Sequence, residues 1–212
     1  MLRTTALWLI PALLAGSAAP ALAAEEDTQL WLTGTARLPL ADDVDGTVDV
    51  IQRWRQGDEQ LVARASLDLA VSDVVDLGGG LTMSDGSGRQ EWRPHQQVNL
   101  AQGWLSWRTR LEERFFEGAD RPQLRLRNRA QVTVPVARST LLIANGELLY
   151  VLQYETAGRG DRLDSWRANL AVQQRVAPHL DLLVGYLAID SLRPAAPDRL
   201  SHAAQLGFVW HP

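Results

Sequence analysis

The chain has no cysteine and no lysine. Without cysteine there is no disulfide framework and no thiolate metal site. Without lysine, all 21 cations are arginine. Arginine keeps its charge under burial and grips carboxylates bidentately, which suits charges packed indoors; an arginine-biased codon usage gives the same count. Histidine is scarce, with four in 212 residues, and net positive charge is lacking, the formal balance being −4. That balance argues against nucleic acid as a partner. Beyond the first residues no apolar run is long enough for a transmembrane helix. Nor does any sustained i, i+3, i+4, i+7 pattern appear, so almost no helix is expected.

What is present begins with a leader. Arg3 supplies a positive charge, Ala6 to Gly16 a short apolar core, and Pro20-Ala21-Leu22-Ala23 a small-x-small cleavage signature before Glu25-Glu26-Asp27. This is the form of a secretory signal peptide over residues 1–23. The remainder, 24–212, reads as one domain with no linker.

The mature sequence resolves into segments of alternating polarity separated by turn residues. They fall at 28–38, 46–55, 60–71, 74–84, 90–100, 104–116, 122–135, 139–152, 164–176, 180–190 and 201–210. Most are about 10–13 residues long, beyond the roughly 5–6 of an ordinary globular strand and sufficient for a tilted membrane strand. In Leu105 to Phe115 one face carries Leu105, Trp107, Thr109, Leu111 and Phe115, the other Ser106, Arg108, Arg110, Glu112 and Arg114. From Gln123 to Val134, Gln123, Arg125, Arg127, Arg129, Gln131 and Thr133 share a face, and Leu124, Leu126, Ala130, Val132 and Val134 the opposite one, with Asn128 a polar intruder. A membrane barrel turns the apolar face to lipid and the charges to the lumen, whereas a soluble sandwich buries the apolar faces against each other.

Aromatic placement favours the barrel. Trp54, Trp92, Trp104, Trp166 and Trp210 fall at or near segment ends, as in the interfacial girdles of membrane proteins. Short turns are expected near Ser72-Asp73, Gln102-Gly103, Pro135 to Arg138 and Ala177-Pro178, with longer loops at 85–89, 117–121, 153–163 and 191–200. The fold expected is therefore all-β: a single closed antiparallel up-and-down transmembrane barrel. Single-chain bacterial barrels hold an even number of strands, so the eleven segments are expected to resolve into twelve, or into ten, by a split or merger within 28–60. Ala204, Leu206, Phe208 and Trp210 alternate like a final barrel strand, although His211-Pro212 follow the last aromatic.

Several segments also resemble a family of proteobacterial outer-membrane barrels known as domain of unknown function, family 2490. The residues that carry the likeness are Glu26-Asp27-Thr28-Gln29-Leu30-Trp31, Arg89-Gln90-Glu91-Trp92-Arg93 with Gln96-Gln97, Arg108 to Arg114, Asn145-Gly146-Glu147-Leu148 and Gly185-Tyr186-Leu187. Trp92-Arg93 stands where the family pattern is closer to His-Arg. The resemblance implies an outer-membrane barrel and no reaction. It implies lipid and lipopolysaccharide as the surroundings and the barrel-assembly machinery as a biogenesis partner; no cofactor is implied, and the oligomeric state is open.

The candidate site is the charged face: Arg108, Arg110, Glu112, Arg114, Arg125, Arg127, Arg129, Asn145 and Glu147, with Asn169 and Gln131 as further partners. A hairpin centred between Gly118 and Ala119 sets Arg125 opposite Glu112 and Arg127 opposite Arg110. A turn centred on Ala137 sets Arg127 opposite Glu147. Such charges form either a packed brace of the wall or a selectivity lining for a small anionic solute. Two other classes stay in view. One is a lipid-modifying barrel enzyme, for which His95 is the best-placed histidine, though no serine carries a nucleophile signature and Ser201 and His202 must face opposite ways. The other is a soluble periplasmic β-sandwich. Asp42, Asp43 and Asp45 lack the full ligand alternation of a Ca²⁺ loop, so no metal site is expected. Gly78-Gly79-Gly80 lies mid-strand and reads as a bend or close approach in the wall.

Overall fold

The computed structural model describes residues 25–86, 88–158, 160–194 and 196–212; the proposed signal peptide lies outside them. Eleven strands form one sheet: β1 (Glu25–Ala41), β2 (Val44–Arg55), β3 (Asp58–Ser72), β4 (Val75–Gly86), β5 (Arg89–Gln102), β6 (Leu105–Phe116), β7 (Gln123–Ala137), β8 (Thr140–Gln153), β9 (Arg162–Ala177), β10 (Leu180–Ser191) and β11 (Arg199–Trp210). Each strand pairs with its neighbours in sequence, antiparallel, and β11 closes on β1 to make a barrel. All eleven correspond to the eleven segments of the sequence reading.

The expected count of twelve or ten is therefore corrected. An even count is needed only if the first and last strands are also to meet antiparallel. Here they meet parallel, in register from Glu25↔Arg199 to Ala36↔Trp210. Parallel bonds are somewhat weaker per residue, and the seam carries extra packing on its inner side. Trp31, Leu187, Ile189 and Ala203 form a buried cluster there, with Ile51 against it. Parallel closure also puts the start of β1 and the end of β11 on opposite rims.

Following paired residues once around, from Pro39 through Asp45, Asp68, Gly78, Gln97, Arg110, Arg127, Leu149, Ser165, Ser191 and Arg199, returns to β1 at Glu25, an offset of 14 residues. Closure with such a stagger tilts the strands by about 40° to the axis. Eight strands leave an interior just filled by side chains; eleven leave more.

One rim carries only tight turns, at 42–43, 73–74, 103–104, 138–139 and 178–179. The other carries the long connections 117–122, 154–161 and 192–198, besides the tight turn at 56–57. The loop expected at 85–89 is shorter than read, because β4 runs to Gly86 and β5 starts at Arg89. Turn and loop glycines such as Gly57 (72°) and Gly103 (60°) adopt positive φ, where a side chain would be strained.

The alternation is oriented with the apolar face out. Leu30, Val50, Leu67, Leu81, Val98, Leu148, Leu170, Val184 and Phe208 are exposed on the outer wall. Asn128 is accommodated there by a local chain of bonds: the Trp107 indole N–H donates to Thr109 Oγ1 (3.1 Å), which donates to Asn128 Oδ1 (2.9 Å). The inner face holds buried polar groups including Asp49, Glu91, Gln97, Arg110, Glu112, Arg125 and Glu147. A dry apolar interior, as a sandwich requires, is not what these side chains build.

Candidate functional site: the arginine-lined lumen

The walls of β5, β6, β7 and β8 set the polar core. Paired registers bring Glu112 opposite Arg125 and Arg110 opposite Arg127, as the hairpin centre dictated. The third expected pairing is displaced by one pair. The β7–β8 turn lies at 138–139, so Arg129 faces Glu147 and Arg127 faces Leu149. Arg127 nevertheless reaches Glu147 diagonally, because a guanidinium spans more than one pleat.

Glu112 is the hub. Its Oε2 accepts from Arg125 Nε and Nη2 at 2.9 and 2.6 Å, and its Oε1 from Arg127 Nη1 at 2.8 Å. Glu147 accepts from Arg127 Nη2 at 2.6 Å and Arg108 Nη2 at 2.9 Å, with Arg167 further off at 3.9 Å. Charge-assisted contacts of this kind are the strong ones in proteins. Arg114 joins Glu91, which Arg93 also grips, and donates to Gln123 Oε1 at 2.6 Å. Arg110 donates twice to an amide, Gln97 Oε1, at 2.9 and 2.6 Å, while its nearest carboxylate contact, to Glu112, is 3.9 Å. Asn145 stands apart from the ion network and donates to Asn169 Oδ1 at 3.2 Å.

All nine residues of the expected network thus face inward. The sequence reading missed Arg37, Arg53, Arg55, Arg64, Arg93 and Arg167, together with Asp49 and Glu91, which face the same cavity. Extending the alternation to β1, β2, β3, β5 and β9 would have found them. Arg64 grips Asp49 at 2.6 Å. Arg53 donates to Gln60 Oε1 at 3.0 Å and lies 4.0 Å over the Trp31 ring.

Together these side chains line a cavity of about 630 Å³ running along the barrel, bounded by twelve arginines and only four carboxylates, Asp49, Glu91, Glu112 and Glu147. The guanidinium Nε atoms of Arg53, Arg108 and Arg167 are buried with no acceptor from the protein. Arg129 has no carboxylate within ion-pair distance among the described residues. The lumen therefore offers cationic donors in surplus, a surface for anions.

The glycine run makes part of this wall possible. A Cβ at Gly80 would lie 2.2 Å from Ala65 O and 2.9 Å from His95 Cε1, and one at Gly78 would lie 2.0 Å from Asp68 Oδ1. Bare backbone there lets Asp68 accept from Gln97 and Asn99 at 2.6 and 2.9 Å. His95 points inward beneath it, buried, with neither ring nitrogen hydrogen-bonded. Ser201 Oγ donates to Asp27 Oδ2 at 3.1 Å inside, whereas His202 bonds the Tyr186 hydroxyl outside. Among the described residues, no histidine is hydrogen-bonded to a serine.

The five expected girdle tryptophans are all on the outside. Trp54, Trp92 and Trp166 sit towards the long-loop rim, and Trp104 and Trp210 at the tight-turn rim. Trp31 is the exception among the tryptophans of the strands, pointing inward.

Residues 28–199 match the family described as Protein of unknown function (DUF2490). The chain belongs to DUF2490. Comparison of this DUF2490 chain with the curated proteins gives no match. Among solved structures it is similar in fold to the NanC porin (9% identity, 77% of this chain and 87% of that one, TM-score 0.55). It is also similar to the KdgM porin in complex with disordered oligogalacturonate (15% identity, 77% and 90%, TM-score 0.52). These likenesses show that the DUF2490 chain has the barrel fold of porins.

Proposed function

We propose that this DUF2490 protein spans the bacterial outer membrane and passes small anionic solutes along its lumen. The observation that carries the reading is the imbalance of twelve arginines against four carboxylates around one axial cavity. Placement in the membrane is supported by the continuous exposed band of leucine and valine, which water does not tolerate on a soluble monomer, and by tryptophans near both rims. Lipid and lipopolysaccharide then surround the wall, and the tight-turn rim faces the periplasm. Insertion falls to the barrel-assembly machinery, with Phe208 and Trp210 on the last strand as its aromatic signal. A porin of the same fold was solved with oligogalacturonate, a carboxylate polymer, which accords with an anionic cargo.

The test is reconstitution of the purified barrel in planar bilayers under a KCl gradient. A reversal potential of the sign set by chloride is expected. Cation selectivity, or no conductance from a barrel shown to be folded by its heat-dependent gel mobility, would refute the proposal.

A further inference from the structure

The lumen has two unlike halves. In the ring of strands, the arginine-richest wall, β5 to β7, stands across from the parallel seam of β1 and β11. The inner face of β11 is Ser201, Ala203, Gln205, Gly207 and Val209, and that of β10 from Leu183 onwards is Leu183, Gly185, Leu187 and Ile189; neither stretch carries a charge. Trp31, Ile51, Val62, Leu183, Leu187 and Val209 line the same cavity as the arginines. A water-filled barrel that passes only hydrated ions has no use for such a stripe, since its interior is ordinarily polar.

The two halves meet at one level. Arg53 stacks on Trp31 at 4.0 Å, and Arg93, Arg127 and Arg167 line the same cavity. A solute held by those guanidiniums therefore lies beside Trp31 and the Ile51–Leu187 surface.

Resting on the anion-passage reading, we propose that the preferred solute is an amphiphilic anion: a carboxylate or phosphate group carried on an apolar body of several carbons, not a fully hydroxylated sugar acid. The charged group faces β5 to β7, and the apolar body slides along β10, β11 and β1. Binding of the body removes apolar area from water on both partners, which adds to affinity without adding charge.

The experiment compares two monoanions of similar size, cyclohexanecarboxylate and glucuronate, as blockers of the chloride current in planar bilayers. In the native barrel cyclohexanecarboxylate is expected to block at about tenfold lower concentration, the ratio that one buried side chain's worth of apolar contact supplies. Ile51→Thr keeps β-branching at a half-buried position, and Leu187→Ser removes the larger surface. Either is expected to bring the two blocking concentrations together while chloride conductance and anion selectivity persist. Ile51→Thr serves where Leu187→Ser fails to give a heat-modifiable barrel. Equal block by both anions in the native protein, or undiminished discrimination in Ile51→Thr, would overturn the amphiphile reading alone. Absence of anion selectivity would overturn the passage reading beneath it.

Discussion

Glu112→Gln tests the brace function of the network most sharply. The native carboxylate is 1% exposed and accepts three hydrogen bonds of 2.6 to 2.9 Å from two guanidiniums. Glutamine keeps one acceptor oxygen but turns an N–H₂ group towards a guanidinium that can only donate. Removing one side of a buried ion pair costs about 3–5 kcal/mol. Arg127 retains Glu147 at 2.6 Å, so the lower end of that range applies, and a loss of about 3 kcal/mol corresponds to roughly two decades in the folding equilibrium. Urea unfolding in lipid vesicles, followed by tryptophan emission and by the heat-dependent gel shift, measures it. Glu113→Gln is the control, since Glu113 is the next residue and faces outward with Leu111 and Phe115. Conductance separates brace from lining: removing one of four carboxylates that face twelve arginines should raise anion selectivity while stability falls. If Glu112→Gln unfolds within about 1 kcal/mol of Glu113→Gln, the paired charges do not hold the wall, and the energetic argument from buried ion pairs fails here.

Two further perturbations address the wall. Gly80→Ala places a Cβ 2.2 Å from Ala65 O, so β3 and β4 must separate; a heat-modification temperature well below native is expected, whereas Gly146→Ala, with nothing nearer than 3.9 Å, should match the native protein. Closure is tested by Leu32→Cys with Leu206→Cys, paired across the β1–β11 seam in a chain with no native thiol. Oxidation should give an intramolecular crosslink that changes mobility after boiling, while Leu32→Cys with Phe208→Cys, two residues out of register, should crosslink far less. Equal crosslinking of both pairs would rule out the parallel seam.

The sequence was most informative where period-two alternation was strong and turns were punctuated. In β6 and β7 each residue fell on its expected face, and the hairpin centre fixed Glu112 against Arg125. Prediction failed where a rule of parity was set above the segments themselves: eleven alternating stretches were visible, and the even-strand habit displaced the count. Parallel closure leaves no mark in either β1 or β11, since a strand's alternation is the same whichever way its partner runs. The Arg127–Glu147 pairing shifted because the β7–β8 turn lies at 138–139, beyond Ala137, which moves the antiparallel register by three, and the irregularity between Pro135 and Ala137 takes one residue back. Arg53 and Arg167 were missed for a different reason. Arg167 stands in a strand with few other inward charges, whereas Arg53 shares its face of β2 with Asp49 and Arg55; neither group joins the β6–β7 cluster until the barrel curls and brings opposite walls within reach.

The two readings of the charged interior, brace and lining, are separated by stoichiometry. A self-sufficient brace needs about one carboxylate per guanidinium, because a charge left unpaired away from water costs several kcal/mol. Here Glu112 and Glu147 are each shared, and Arg127 draws on both. The close pairing falls on Arg108, Arg125 and Arg127 at these two carboxylates, on Arg93 and Arg114 at Glu91, and on Arg64 at Asp49. Among the described residues Arg53 and Arg129 make no ion pair, and Arg167 reaches Glu147 only at 3.9 Å. Among the described residues these cations are short of counter-charge, and on the anion-passage proposal a mobile anion supplies it. The fixed pairs stiffen one wall and so hold the unpaired guanidiniums open towards the cavity. On the anion-passage proposal, brace and lining are complementary uses of one structure: the arginines paired with Asp49, Glu91, Glu112 and Glu147 hold the wall, and Arg53, Arg129 and Arg167 are the ones that would meet the solute.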